Sequence, residues 1–385
     1  MPKTYFKCIK CGEIYPFTKG IMTCPKHSPY YSYLTLGYDY AKAKFRQESS
    51  LLWGKYLSLL PVDNLRINFN EQKTPLFKLK NFGKKYGLAN LYVKDESKNP
   101  TGSFKDKESI CAINKAVEWG IDKIFVVSSG NAAVSTSAYA QKAGITCDCL
   151  VSKNLSVGKR ALISLYGGKI VEIGGNYEKI YRFAIDSSYA GWNCTPGINP
   201  IKEEGIKIIG FEIWEEVGIP DVIVVPCGNG TLLFGIYKAF KELQLMGMID
   251  KLPKMIGVQI MDASPLKKAY QQKTDYAVLK NIPNSVAEGI IAQESYSSPK
   301  VMLALRETKG EIIEVDDLEM ITSLKEIMSL ESLIPEPTAA VVYAAIKKIK
   351  IDQKAKVVLV QSAGGAKNLK EIMELLIDKK IGGDN

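Results

Sequence analysis

Short apolar runs recur along the chain, each followed by a glycine-bearing turn and then by a stretch with helical spacing. Ile124-Phe125-Val126-Val127 is such a run; Ser128-Ser129-Gly130-Asn131 follows it, and a helix of small residues is expected over 132–143. The same rhythm predicts strands at 148–151 and 169–173, with helices at 158–166 and 177–190. After the loop Pro196-Gly197-Ile198-Asn199-Pro200, it predicts a helix over 203–217, a strand at 222–225, the turn Gly228-Asn229-Gly230-Thr231 and a helix to about 245. A strand at 256–259, helices near Pro265 and Pro299 and helices over 318–330 and 338–349 come next. A strand at 357–360 then ends in Gln361-Ser362-Ala363-Gly364-Gly365. Unbroken apolar strands alternating with helices describe a doubly wound α/β fold with parallel sheets.

Earlier in the chain, residues 38–60 are aromatic and basic with helical periodicity, carrying Leu52, Trp53, Tyr56, Leu59 and Leu60 up to Pro61. A loop containing Asn70-Glu71-Gln72-Lys73-Thr74-Pro75-Leu76 leads to an amphipathic helix over 79–86. A β-prone run, Leu91-Tyr92-Val93-Lys94, then enters Lys98-Asn99-Pro100-Thr101-Gly102-Ser103-Phe104-Lys105-Asp106-Lys107, and a helix-compatible run over 108–119 leaves it. Asn-Pro and Thr-Gly force a turn, because proline fixes φ and glycine admits positive φ. Lys105 therefore sits where a tight turn enters a helix. A lysine held and partly desolvated there can act as a nucleophilic amine or a base. The competing reading is a solvated lysine at a helix start.

Length adds that 385 residues exceed one core, so two lobes or more are expected. No apolar run approaches the roughly 18 residues that would span a membrane. The first residues lack an apolar segment of the secretory kind, which reads as cytoplasmic. The net charge of +10 comes from scattered lysines. It fits solubility or attraction of small anionic molecules into a basic cleft rather than nucleic-acid binding.

The eight cysteines are not a disulfide framework in a reducing compartment. Cys147 and Cys149 share one face of an expected strand, and Cys111, Cys194 and Cys227 read as small buried hydrophobes. Cys8-Ile9-Lys10-Cys11 and Cys24-Pro25-Lys26-His27 are different, because each pair presents two ligands from a small turn. Three thiolates and an imidazole suit a closed, structural Zn²⁺ site, and unmetallated surface thiols are the alternative. His27 is the only histidine. If it holds metal, Ser-His and Cys-His hydrolysis are excluded, and catalysis falls to lysine, carboxylates, hydroxyls or a cofactor.

Three expected strand-to-helix turns hold glycine with small hydroxyl or amide side chains: 128–131, 228–231 and 362–365. Such turns lie at the carboxyl ends of strands, where open α/β sheets bind ligands. Gly228-Asn229-Gly230-Thr231 opens a helix whose unpaired N–H groups can cradle a phosphate. It has neither the dinucleotide G-x-G-x-x-G nor the P-loop G-K-[ST] spacing, so by itself it also reads as a plain left-handed turn.

Together with the Lys105 turn, these features resemble the pyridoxal-phosphate enzymes of fold type II, the tryptophan synthase β class, and within it the threonine synthases. The resemblance covers nearly the whole chain, and Asn99-Pro100-Thr101-Gly102-Ser103-Phe104-Lys105-Asp106 matches the cofactor-lysine motif. Tyr38-Asp39-Tyr40, Gly174-Gly175-Asn176-Tyr177 and Asn199-Pro200…Glu204-Gly205 also have counterparts. The resemblance implies a homodimer of two-lobed chains: a zinc-ribbon-like segment over 1–34, a large lobe over 35–106 and 197–385, and a small mobile lobe over 107–196. It implies that Lys105 is the Schiff-base lysine and that Asn131 lies beside the cofactor's 3′-oxygen. Ser128, Ser129 and Gly130 would bind the substrate carboxylate, Gly228, Asn229, Gly230 and Thr231 the cofactor, and Ser362 would face the pyridine nitrogen.

The implied reaction converts O-phospho-L-homoserine and water to L-threonine and phosphate. The chain departs from the family pattern in three places. Asn70-Glu71-Gln72-Lys73 replaces Gly-Glu-Gly, and Ser362-Ala363 replaces Thr-Gly. Pro196-Gly197 with Lys202 replaces Asn-Ser with arginine. Lysine keeps the charge but loses the bidentate fork, and Lys202, Lys159 and Arg160 are the candidates for a substrate phosphate. Other readings are β-replacement on O-phosphoserine or a related amino acid, as in cysteate or cysteine synthases, and a serine/threonine dehydratase-like elimination. A non-catalytic amino acid or nucleotide sensor on the same fold is the reading outside enzymes.

Overall fold

The computed structural model describes residues 4–45, 52–153, 155 and 157–377. Strands β1 (Tyr5–Cys8), β2 (Ile14–Pro16) and β3 (Leu34–Gly37) form an antiparallel sheet in the order β2-β1-β3. A 3₁₀-helix follows at Leu52–Leu59. Three residues per turn align positions i and i+3, which puts Trp53, Tyr56 and Leu59 in one buried row. The helical periodicity expected over 38–60 is thus of this tighter kind only at Leu52–Leu59; residues 38–45 are turn and loop, and 46–51 lie outside the described residues.

Next come β4 (Leu76–Lys78), α1 (Lys80–Lys85), β5 (Asn90–Asp95) and α2 (Lys105–Glu118). Helix α2 begins at Lys105 itself, one turn before the expected start. The reason is local: Asp106 accepts from the Thr101 backbone N–H (2.6 Å) and hydroxyl (2.5 Å), which folds the turn back onto the helix start. A run of β6 (Lys123–Val127), α3 (Asn131–Ala143), β7 (Thr146–Ser152), α4 (Val157–Leu165), β8 (Lys169–Ile173), α5 (Tyr177–Asp186) and β9 (Trp192–Asn193) follows. Its strands form an all-parallel sheet in the order β8-β7-β6-β9.

The chain continues through α6 (Pro200–Val217), β10 (Val222–Pro226), α7 (Thr231–Leu245), β11 (Lys254–Ile260), α8 (Pro265–Gln272) and α9 (Ser298–Thr308). Strand β12 (Glu311–Val315), α10 (Asp317–Glu331), α11 (Pro337–Ala345), β13 (Lys356–Gln361) and α12 (Leu369–Ile377) complete it. These strands build a second sheet in the order β12-β11-β10-β13-β5-β4, parallel except for the β4–β5 pair. The alternation thus predicts the two-sheet α/β architecture. The edge strand β12 escapes it, because Glu311 and Glu314 interrupt the apolar run.

Both faces of the larger sheet are covered, and the strand pleat divides its side chains between them. Ile223 and Val225 of β10 join the core shared with α6 and α7, whereas Val222 and Val224 join the core shared with α10 and α11. This double burial explains why β10 reads as an unbroken apolar run. Helix α2 lies close against α6, and Gly205 allows the approach: a Cβ added there would fall on the Lys107 carbonyl oxygen. Gly205→Ala is expected to lower unfolding free energy by about 1–3 kcal/mol or more, the usual cost of overpacking a close contact, as measured by denaturant unfolding. Unchanged stability would refute the close approach.

Candidate active site

In the larger sheet, β10, β13 and β5 are neighbours and run parallel. Their carboxyl ends therefore discharge side by side into the Gly228–Thr231 turn, Ser362 and the Lys105 turn. Two of these turns are stitched directly: the Phe104 N–H donates to the Ser362 carbonyl (2.9 Å) and the Gly364 N–H to the Gly102 carbonyl (3.2 Å). Gly102 supplies the left-handed φ of +79° that this path requires. The Ser128–Asn131 turn comes from the carboxyl end of β6 in the smaller sheet.

Lys105 is 15% exposed, and its ammonium stands 4.3 Å from the Phe104 ring centroid. Nζ donates to Glu108 Oε1 at 2.7 Å, one helical turn along. Burial holds the amine below its ordinary value; Glu108 opposes the shift and the Lys202 charge assists it. Glu108 Oε1 also accepts from the Thr231 hydroxyl at 3.1 Å, which ties the lysine helix to the Gly228–Thr231 turn. The second carboxylate oxygen, Oε2, is buried and has no hydrogen-bond partner.

The remaining turns can take a phosphate-bearing cofactor. Helix α7 starts behind Gly230, at φ +91°, without a side-chain cap, so its first N–H groups are free of one. Asn229 is held by donation to the Tyr177 hydroxyl (3.0 Å) and by the Ser297 N–H on its carbonyl (3.1 Å). Helix α3 likewise starts behind Gly130 with no side-chain cap, and a Cβ on Gly130 would meet nothing within 4 Å. Uncapped N–H groups and a buried amine fit the donor needs of pyridoxal phosphate.

Ser128, Ser129, Gly130 and Asn131 are half-buried, and Ser362 is buried. The Asn131 amide is pinned on both sides. Its Oδ1 accepts from Lys367 Nζ (2.6 Å), and its Nδ2 donates to Glu336 Oε2 (2.8 Å). Burial lowers the pKa of Lys367 and raises that of Glu336. Lys202 is fully buried on the first turn of α6 and donates to the Thr136 hydroxyl at 2.8 Å. Arg160 instead pairs with Glu172 (2.5 Å) on the surface, and Lys159 pairs with Glu288.

Three residues at the site go unseen in the sequence reading. Glu108 carries a signal, since position i+3 from a lysine on a helix is within reach of it. Glu336 and Lys367 belong to a loop and a short 3₁₀ turn, and neither has a periodic pattern to flag it. At the N-terminal end, the ligand atoms of Cys8, Cys11, Cys24 and His27 lie within 4.8 Å of one another. His27 Nε2 is buried without a hydrogen-bond partner, as an atom reserved for a ligand would be.

The chain matches the family model of pyridoxal-phosphate dependent enzymes over residues 67–363. It is 34% identical to threonine synthase of Methanosarcina acetivorans over 354 residues, covering 90% of this chain and 86% of that protein. Against threonine synthase of Methanocaldococcus jannaschii the identity is 31% over 382 residues, 94% of this chain and 92% of that one. Among solved structures, diaminopropionate ammonia lyase from Escherichia coli superposes with a TM-score of 0.69 at 16% identity. That match covers 82% of this chain and 90% of the other, and it establishes likeness of fold.

Because burial disfavours its ammonium form, Lys105 should become reactive at lower pH than exposed lysines such as Lys370. Competitive acylation of the cofactor-free protein, read by peptide mass spectrometry across pH, measures this. Coincident titration of Lys105 with the exposed lysines would contradict it.

Proposed function

The chain belongs to the pyridoxal-phosphate dependent enzymes, and we propose that within that family it acts as a threonine synthase, turning O-phospho-L-homoserine and water into L-threonine and phosphate. The observation that carries the reading is the buried Lys105 amine at the joined ends of β5, β13 and β10. Similarity to threonine synthases along most of the chain supports the choice among chemistries.

When bound, pyridoxal phosphate supplies the electron sink that loosens the substrate's Cα and Cβ protons. The residues of this chain do the rest. N–H groups of the Gly228–Thr231 turn would hold the cofactor's phosphate, with the Thr231 hydroxyl fixing that turn to Glu108. Ser362 would offer a hydroxyl, not a carboxylate, to the ring nitrogen and so would leave it largely unprotonated. Asn131, pinned by Lys367 and Glu336, would present its amide to the 3′-oxygen.

N–H groups of Ser128–Asn131 hold the substrate carboxylate. Lys105 Nζ, whose proton burial weakens, moves protons one at a time, first at Cα and, once it has given that one up, at Cβ. Phosphate leaves from Cγ, and water adds at Cβ. Lys202 is a buried ammonium paired with no carboxylate among the described residues. A buried charge needs a counterpart, and the substrate phosphate is the one assigned to it here.

The proposal includes a structural Zn²⁺ on Cys8, Cys11, Cys24 and His27, since three thiolates and one imidazole fill a tetrahedral shell. Following the resemblance, it also includes a cytoplasmic homodimer.

Loaded enzyme given O-phosphohomoserine should release phosphate and form threonine, identified by NMR. Lys105→Ala should lower that rate by about 10³-fold or more, the scale of a lost acid–base group. Release from O-phosphoserine alone would replace threonine synthesis with β-replacement, and a protein that binds no cofactor would end the reading. Metal analysis should return one zinc per chain, and Cys11→Ser should remove it and lower the thermal midpoint. A metal-free protein with an unchanged midpoint would delete the ion.

A further inference from the structure

Glu108 is the least explained charge near the reactive lysine. Its side chain is completely buried, yet only one of its two oxygens is engaged. Oε1 accepts from Lys105 Nζ at 2.7 Å and from the Thr231 hydroxyl at 3.1 Å, while Oε2 is buried without a partner. A buried carboxylate oxygen without a donor is costly unless something arrives to fill it.

The other charged groups around this point are committed elsewhere. From α6, Lys202 donates to Thr136, and Glu203 is held by Lys300 and the Ser297 hydroxyl. From α5, the Tyr177 hydroxyl accepts from Asn229. On α2 itself, Asp106 is turned to Thr101, and Lys107 to Glu96 and Glu212. Glu108 is thus the carboxylate that faces the Lys105 amine, and it is the first of the charges that favour protonation there.

We propose that Glu108 is a catalytic residue for amine exchange: Oε1 holds the Lys105 amine, and the open Oε2 receives the α-ammonium group of the incoming amino acid. This rests on Lys105 being the residue that bonds the cofactor's aldehyde carbon. An amino acid arrives as R–NH₃⁺ and cannot attack until it loses a proton. Glu108 takes that proton at Oε2, leaving a neutral amine. The substrate nitrogen then bonds to the carbon that Lys105 holds, and the bond from that carbon to Nζ breaks. Glu108 keeps that proton, and Nζ departs as a neutral amine, the form that can take the Cα proton. One proton moves from substrate to Glu108, no net charge is created, and no other reactant is needed. The released amine then remains opposite Oε1, on the same face as the carboxyl group that held it.

Two measurements test this on the full-length chain with Glu108→Gln, which is nearly isosteric, and Glu108→Asp, which keeps the charge. In cofactor-free protein, competitive acetylation of Lys105 should shift to lower pH in Glu108→Gln, because the anion that favours its ammonium is gone. In loaded protein mixed with L-2-aminobutyrate, which has no leaving group, stopped-flow absorbance reads the exchange itself. At neutral pH the Glu108→Gln rate should fall by about 10²–10⁴-fold, the range of general-base catalysis. It should recover as pH approaches the amino acid's own amine pKa, where no base is required. Glu108→Asp should keep the wild-type pH profile at a reduced rate. Unchanged Lys105 titration in Glu108→Gln overturns the proposal, as does an exchange rate lowered equally at every pH. Phosphate release enters neither measurement, so failure of the threonine synthase reading is seen separately.

Discussion

Four consecutive charged residues, Lys105-Asp106-Lys107-Glu108, open the helix at the centre of the site, and Asp106, Lys107 and Glu108 are completely buried. The helix advances each residue by roughly 100°, so each side chain leaves in its own direction and meets its own partner. Asp106 closes the turn by accepting from Thr101. Lys107 donates to Glu96 (2.9 Å) and Glu212 (3.2 Å), which draws the helix toward α6. Glu108 reaches the lysine and the Gly228–Thr231 turn. Breaking one such buried pair costs about 3–5 kcal/mol, because a charge is left uncompensated. The rotation of Lys105 into the site is therefore fixed by its neighbours as much as by its own contacts.

The same logic extends along α6. Glu204 pairs with Lys207 (2.6 Å) and Lys238, and Glu242 also takes Lys207 (2.8 Å), so α6 and α7 share a buried ionic patch. Glu212 receives Lys94 (2.8 Å) and the Trp53 indole N–H (2.9 Å). These contacts join β5, the 3₁₀-helix, α2 and α6 through charge, while Gly205 removes the side chain that would keep α2 and α6 apart. Such pairs add little net stability over apolar packing. What they impose is a single register of α2 against its supports.

The parts legible in the sequence were those whose causes are local. Asn-Pro and Thr-Gly mark the Lys105 turn, unbroken apolar runs mark β6, β10 and β13, and paired C-x-x-C and C-x-x-H spacings mark the cluster at the N-terminal end. What stayed hidden depended on distant partners. Lys94, Lys107, Lys207, Lys238 and Lys300 read as scattered basic residues, yet all are buried. Their partners, among them Glu203, Glu204, Glu212 and Glu242, mostly lie in other elements, and no local pattern announces the match. Glu336 and Lys367 meet Asn131 from more than two hundred residues away. The helical spacing over 38–60 hid a 3₁₀ row, because i+3 contacts are common to both helix types.

The strand order of the larger sheet has a consequence for how the molecule is made. Strand β13 (Lys356–Gln361) lies between β10 and β5 and bonds to both. Until it is inserted, β4 and β5, which lead to the Lys105 turn, have no hydrogen-bonded link to the strand that leads to Gly228. The smaller sheet, by contrast, is complete once residue 193 exists. On the ribosome, that sheet can close while the halves of the larger one wait for Lys356–Gln361. Pairings this remote in sequence are slow to form and leave strand edges exposed in the interval. Assembly of the site is thus timed by a strand translated long after Lys105, and a chain cut short before Lys356 keeps its reactive lysine but not its site.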